Sequence, residues 1–458
     1  MRRIETDLGA YRVRAQLQGE ETLSLDLNAG KGFRLRDWSI SHYCQSALPE
    51  RIGDLLRIAM AVFVVDRLVK RRRSTADHGW CRDIHLMVEV SDPEFWNDSE
   101  TRDILIQVGD VLGGEFWDFS FLEMETPRQR HFRWPDVGDC RTVCLYSGGL
   151  DSAAGLVARI RDDGVGTFIP VTVWHQARQR RLVESQLRRI SSKYGAVMNA
   201  VVVKAALIKP PLFREQERTQ RCRSFLFAAV GGAVAAVLGA SAVEVYESGI
   251  GAVNLPLMTG MWGSKATKGS HPKFLALMSR LLTLTADRAI TLKLPFLFKT
   301  KAEVVKALRD EDLVDLANET VSCVHYPRRD RRGQCGVCFG CISRRQALAA
   351  AGIQDPPAYR YDLFGLTQEA VRVPPKYLTG LKAVLWQVEH LYRHGSNELP
   401  GRLRRHLQGT DMVENEECLT ALAQTHHRYG DEWLALAARG RRAGWPWADL
   451  LTADSMVA

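Results

Sequence analysis

Four cysteines, Cys323, Cys335, Cys338 and Cys341, fall within 19 residues in the spacing C-x11-C-x2-C-x2-C. Four thiolates close a tetrahedral shell, which is the ligand set of structural Zn²⁺ rather than of a catalytic metal with an open position. A four-cysteine iron–sulfur cluster is the alternative. Gly336 and Gly340 inside the CGVCFGC stretch relieve crowding where one tight loop must wrap an ion. The other six cysteines (Cys44, Cys81, Cys140, Cys144, Cys222 and Cys418) are scattered and read as small hydrophobes.

A second constellation is Ser147-Gly148-Gly149-Leu150-Asp151-Ser152. It follows an apolar run (143–147) and opens a helical stretch. Glycines there permit a tight turn whose backbone N–H groups converge on an anion, and the helix dipole adds positive potential. Ser147 and Ser152 supply hydroxyl donors, whereas Asp151 is better suited to a Mg²⁺ ligand than to a phosphate contact. Neither GxxxxGK[ST] nor GxGxxG is present at this loop.

These groups need elements to hold them. Residues 143–147, 167–174, 199–205, 242–248 and 289–295 are β-branched, apolar runs. They are separated by helical stretches near 151–161, 179–194, 221–240, 271–284 and 300–309. That alternation predicts an α/β fold with a parallel sheet covered on both faces, and ligands beyond the carboxyl ends of its strands. Residues 1–139 read as an α+β accessory domain, with strand-like TLSLDLN and RDIHLMVEV and helical spacing of Ile52, Leu55, Leu56, Ala59 and Phe63. Residues 140–352 form the α/β core with the cysteine site. Residues 353–458 are expected to be mostly helical, with Leu378, Leu381, Leu385, Val388 and Leu391 as one buried stripe.

The N-terminal MRRIETDLGAYRV lacks an apolar signal segment, and the thiols read as reduced, so a cytoplasmic protein is expected. The uncharged stretch Phe225–Val243 reads as a buried Ala/Gly-rich helix rather than a membrane span. The net charge is +9, with basic clusters at 67–73, 128–133 and 328–332, a balance that suits nucleotides, nucleic acid or other acidic partners.

The two motifs together resemble the 7-cyano-7-deazaguanine synthase (QueC-like) family of PP-loop ATP pyrophosphatases, over about residues 141–351. SGGLDS resembles the loop that holds the β- and γ-phosphates of ATP, and C…CGxCxxCxxR is similar to that family's zinc knuckle. By the same resemblance, Gln176 of WHQAR, Arg223 of RCRSF, and Lys299 and Lys301 near the start of a late helix belong to the nucleotide site, and Arg178 is a further candidate beside Gln176. The stretch from Glu247 to Pro256, with His271 beyond it, departs from the family pattern. The accessory regions at both ends resemble the enlarged QueC-like proteins of bacterial anti-phage defence systems.

The resemblance implies ATP-dependent adenylation of a 7-deazaguanine carboxylate, followed by amide or nitrile formation or by transfer to a protein amine. A carboxylate is a poor electrophile, and adenylation gives it AMP as leaving group, so positioning and charge neutralisation carry the catalysis. The loop N–H groups, Lys299 or Lys301, and Arg178 or Arg223 are expected to neutralise phosphates. Glu247, Asn254 and His271 are expected to hold the base or handle the amine proton, with Glu247 accepting from the N–H groups of a guanine-like edge. Asp151, Lys299, Lys301, Glu247 and His271 are thus the expected catalytic set. ATP, Mg²⁺ and Zn²⁺ are the expected cofactors, and the expected partners are a deazaguanine acid and a protein acceptor or the products of a defence operon. Nucleic acid is not favoured, no membrane contact is expected, and a homodimer stays open. Two alternatives are a tRNA-modifying PP-loop enzyme and a non-catalytic nucleotide-binding subunit of a defence complex.

Overall fold

The computed structural model describes residues 8, 10–17, 22–27, 33–36, 39–40, 48–71, 81–124, 142–207, 217, 220–256, 268–326, 334–355, 359–364, 373–393, 395–445 and 447–451. The basic clusters at 128–133 and 328–332 lie outside them. The strands are β1 (Tyr11–Leu17), β2 (Leu23–Leu27), β3 (Phe33–Arg36), β4 (Asp83–Val90), β5 (Phe116–Glu123), β6 (Thr142–Leu145), β7 (Phe168–Trp174), β8 (Val201–Leu207), β9 (Ala242–Val245) and β10 (Thr291–Lys293).

The five apolar runs of the middle region become β6 to β10. They are mutually parallel, and with β3 they form a sheet in the order β10-β9-β6-β7-β8-β3. Alternate residues of β6 face opposite cores. Val143 packs with the helices Arg223–Leu238 and Pro272–Ala286, and Cys144 packs with Leu150–Asp163, Ala177–Tyr194 and Lys301–Asp310. The chain runs from β6 outward to β7 and β8, then returns to place β9 on the other side of β6. The strand order therefore reverses between β6 and β9, and such a reversal leaves a crevice at the strands' carboxyl ends.

Arg223–Leu238 is the Ala/Gly-rich helix expected from the uncharged stretch, and most of its residues are buried in the core. Among the described residues no helix is long and apolar enough to cross a membrane.

The N-terminal region is less separate than its sequence suggests. β1, β2, β4 and β5 form their own sheet in the order β2-β1-β4-β5, but β3 pairs antiparallel with β8 at the edge of the central sheet. The helix Glu50–Leu68 is almost wholly buried and shares one continuous core with both sheets and with Arg223–Leu238. The boundary expected near residue 139 is thus bridged by pairing and packing. β1 and β3 were not singled out in the sequence; YRVRAQL alternates buried and exposed residues, as a half-buried strand must.

The C-terminal region is helical, with Pro375–Arg393, Gly395–His406 and Glu416–Arg442. Leu381, Leu385 and Val388 are buried against Trp433 and Leu436, and Leu378 packs beside them. The side chain of Leu391 lies outside the described residues.

Candidate active site

The loop expected to hold phosphates leaves β6 as Tyr146-Ser147-Gly148-Gly149 and enters the helix Leu150–Asp163. Gly148 is left-handed (φ 80°), the conformation that glycine adopts without a Cβ penalty. The turn is tied from within: the Gly149 N–H donates to Ser147 Oγ (3.2 Å), and Ser152 Oγ donates to the Gly149 carbonyl (3.0 Å). Ser147 is exposed while Ser152 is buried. The first-turn N–H groups of this helix have no acceptor within it, which is the local basis for anion binding.

A buried glutamine absent from the sequence reading braces the loop from below. Gln186 donates to the carbonyls of Gly148 (3.1 Å) and Glu319 (3.0 Å) and accepts from Tyr146 Oη (2.9 Å). Val321 N–H also donates to the Gly148 carbonyl (3.2 Å). Only the fold could reveal this residue, because a glutamine inside an amphipathic helix has no distinctive spacing.

At the crevice stand two carboxylates and one ammonium. Lys301, first residue of the helix Lys301–Asp310, donates to Asp151 Oδ2 at 2.5 Å and lies 3.8 Å from Glu247 Oε1. Glu247 lies two residues past β9, so the two carboxylates converge from the two strands that flank the reversal. Asp151 Oδ1 is buried with no hydrogen-bond partner. Burial and the neighbouring Asp151 charge raise the Glu247 carboxyl to about 7, against the opposing pull of Lys301. Burial lowers the Lys301 ammonium, but the two carboxylates outweigh it and its pKa is raised. Two acids sharing one lysine leave the cluster short of positive charge.

The other expected residues lie differently. Lys299 is exposed, its ammonium 5.6 Å from the centroid of the Phe296 ring, so of the two lysines it is Lys301 that reaches Asp151. Gln176 is exposed at the start of the helix Ala177–Tyr194, and the Arg178 guanidinium sits 5.3 Å from the Tyr326 ring. Arg223 lies 5.3 Å from the Phe227 ring and donates to Gln220 (3.4 Å). Asn254 is left-handed (φ 49°) and ends the short helix Gly249–Val253. His271 is buried as the cap of Pro272–Ala286. Its Nδ1 accepts from Lys273 N–H (3.2 Å) and its ring meets His406 edge-on, with centroids 5.0 Å apart. Burial and the adjacent His406 lower its pKa to about 3, so the ring is neutral and engaged in capping.

The four cysteines converge with all Sγ atoms within 4.8 Å of one another. Thiolates about 2.3 Å from a tetrahedral Zn²⁺ stand about 3.8 Å apart, and Cys335 Sγ to Cys341 Sγ is 3.9 Å. Cys335 N–H points at Cys323 Sγ (3.4 Å) and Cys338 N–H at Cys335 Sγ (3.3 Å), the donors that stabilise thiolate ligands. A Cβ on Gly336 would stand 1.8 Å from the Tyr361 carbonyl oxygen and one on Gly340 2.2 Å from that of Ser322, so both glycines are required by close backbone approach. The donor set fits zinc. Three residues past Cys341, the fully buried Arg344 donates to the carbonyls of Ala317 (2.7 Å) and Thr320 (3.2 Å). The adjacent Val321 carries the N–H that meets Gly148, so the cysteine site braces the phosphate loop.

Residues 258–352, which carry Lys301 and all four cysteines, match the family model described as queuosine biosynthesis protein QueC. This part of the chain is QueC-like. Three similar relatives are each named 7-cyano-7-deazaguanine synthase. That of Methylobacillus flagellatus is 28% identical over 235 residues, covering 48% of this chain and 96% of the relative. That of Azoarcus sp. is 28% identical over 240 residues and covered to 97%, and that of Methanothermobacter thermautotrophicus is 25% identical over 244 residues and covered to 99%; each again matches 48% of this chain. The relatives are therefore matched almost whole by half of this chain.

Beyond the QueC-like residues, the basic cluster at 67–73 proves partly internal. Arg71 is buried with Arg82 against Asp66 and Glu115. Arg67 is also buried. Arg71 and Asp66 hold the N-terminal region onto Glu217 and Cys222, with Glu217 accepting from Arg71 N–H (2.9 Å) and Asp66 from Cys222 N–H (3.3 Å). They are packing groups rather than an acidic partner's landing surface. Arg72 and Arg73 lie outside the described residues.

Proposed function

We propose that this protein adenylates a 7-deazaguanine carboxylate with ATP, releases pyrophosphate and passes the acyl group to an amine. The observation that carries the reading is the Asp151–Lys301–Glu247 cluster at the strand reversal, beside a loop suited to phosphates. The names of the similar relatives supply the substrate class. Asp151 and Glu247 would hold Mg²⁺, since Asp151 Oδ1 is buried without a partner and burial beside the Asp151 charge raises the Glu247 carboxyl. Bound there, the cation would neutralise charge on the polyphosphate.

The protein's own groups do the rest. The loop N–H groups and Ser147 hold the β- and γ-phosphates, and Lys301 sits where it can move from Asp151 to a phosphate oxygen as charge develops. Gln176, Arg178 and Arg223 rim the same end of the sheet and complete the nucleotide site. The proximity of Glu247 to Asp151 moves its proposed role from gripping the base toward sharing the cation. His271 is assigned to capping, and Asn254 to shaping the turn after Gly249–Val253. The zinc knuckle keeps the loop in register.

The terminal regions account for the finer part of the reading. A protein amine as acceptor, in an anti-phage defence setting, would need surface beyond the catalytic half, and half of this chain lies outside the matched relatives. Mass spectrometry of products after incubation with ATP, Mg²⁺ and 7-carboxy-7-deazaguanine tests the reaction, with ammonia or operon proteins as acceptors. Formation of AMP, pyrophosphate and an amide, nitrile or protein adduct is expected. ATP left intact with the acid and each acceptor would contradict the reading.

A further inference from the structure

We propose that the C-terminal helix Glu416–Arg442 is a positioning element of the candidate site, in which Glu432 holds Lys301 on Asp151 through Thr300. This rests on the assignment of Lys301 to the ATP reaction.

Lys301 is the first residue of its helix, so the helix start fixes where its ammonium can reach. That start is a capping box: Thr300 Oγ1 accepts from Glu303 N–H (3.2 Å), and Glu303 Oε2 accepts from Thr300 N–H (2.7 Å). Such a box satisfies itself. Here both halves are also gripped from the C-terminal helix. Thr300 Oγ1 donates to Glu432 Oε1, and Arg428 Nε donates to Glu303 Oε1 (2.8 Å). Arg428 Nη2 further donates to the Phe298 carbonyl (2.7 Å), just ahead of the box. Residues 428 and 432 are one helical turn apart and share a face.

Glu432 does more than close a cap. Its second oxygen accepts from Gln346 Nε2 (2.8 Å), on the helix Phe339–Ala350 that carries Cys341 and Arg344. One carboxylate thus joins the lysine helix to the cysteine-site helix, and Thr300 and Gln346 are both fully buried at the joint. A partly buried carboxylate held by two neutral donors gives up hydration that apolar packing would not cost, so stability alone does not account for it. Fixed geometry does. The ammonium of Lys301 meets Asp151 at 2.5 Å, and a shift of about 1 Å in a catalytic group lowers rates about 100-fold. Glu432 lies beyond residues 258–352, so this brace comes from outside the matched family model.

The test labels the lysines of the full chain with an acetylating ester and reads each site by peptide mass spectrometry. Pyrophosphate release is measured on the same samples. Glu432→Leu should raise acetylation of Lys301 several-fold while Lys299 stays as it was. It should also lower kcat about 10- to 100-fold, with little change in the KM for ATP. Glu432→Gln keeps a carbonyl oxygen for Thr300 and should restore both readouts most of the way. Should Glu432→Leu fail to fold, Arg428→Met is read by the same labelling criterion. Unchanged Lys301 labelling overturns the proposal, even if pyrophosphate release is robust and depends on Lys301. Raised labelling in the variant, when even the unsubstituted chain releases no pyrophosphate, supports the brace and sinks the ATP reading instead.

Discussion

Two charge clusters in this molecule invite comparison, because each sets an aspartate and a glutamate against basic side chains and yet they come out opposite. In the N-terminal region Arg82 donates to Glu115 through Nε and Nη2 and to Asp66 through Nη2, each at 2.6 Å. Arg71 closes the group, and the acids are wholly buried. Burial opposes the Arg82 charge, but its two acid partners outweigh that and its pKa is pushed further up. At the strand reversal, by contrast, Asp151 and Glu247 share a single lysine. One carboxylate oxygen is left without a partner and one carboxyl titrates near neutrality. Burial and charge therefore do not mark function by themselves. A cluster that satisfies itself reads as structure, and one that is short of charge reads as a site awaiting a ligand.

That contrast can be broken at several points. The largest effect is expected at the brace beneath the unsatisfied cluster. Cys338→Ser should give metal-poor, poorly soluble protein, since thiolate sites of this kind contribute about 10–16 kcal/mol of folding energy. Metal analysis should find one zinc per chain before the substitution, and stoichiometric iron with sulfide would refute the assignment. Next comes the satisfied cluster. Arg82→Ala should cost about 3–5 kcal/mol in urea unfolding by leaving the two buried acids with Arg71 as their remaining partner in the cluster, with turnover per folded molecule retained. The reverse pattern is expected for Asp151→Ala and Lys301→Ala. Each should cut pyrophosphate release by about 10²–10³-fold while melting stays close to that of the unsubstituted chain. Near-normal turnover in either variant would put the phosphates elsewhere.

How much of this could be read from the chain follows the same divide. SGGLDS and the four cysteines are contiguous or nearly so, and each carries its chemistry in local spacing, so the loop, the knuckle and the five parallel strands were legible. Gln186, Arg344 and Glu432 were not assigned roles. Each is a polar residue within a helix whose partner carbonyls or hydroxyls lie 24 to 133 residues away. Lys299 and Lys301 were indistinguishable in sequence, because only the cap at Thr300 decides which of them faces Asp151. The cluster at 67–73 misled for a related reason. Arg71 looks like part of a basic surface until Asp66, Glu115 and Glu217 fold onto it.

The smallest of these effects bears most directly on the claim that the Asp151–Lys301–Glu247 cluster is short of positive charge. Glu247 has a folded-state pKa of about 7, above the ordinary carboxyl value of 4.5. Between those values the folded chain holds a proton that the unfolded chain has lost, so its contribution to stability declines as pH rises from about 4.5 to 7. A cation that binds the ionised form must displace that proton. Calorimetry of Mg²⁺–ATP binding at pH 6.5, in buffers of different ionisation enthalpy, measures proton release. The account predicts a substantial fraction of one proton released per nucleotide by the unsubstituted chain and close to none by Glu247→Gln. Equal release from both, or none from either, would contradict it.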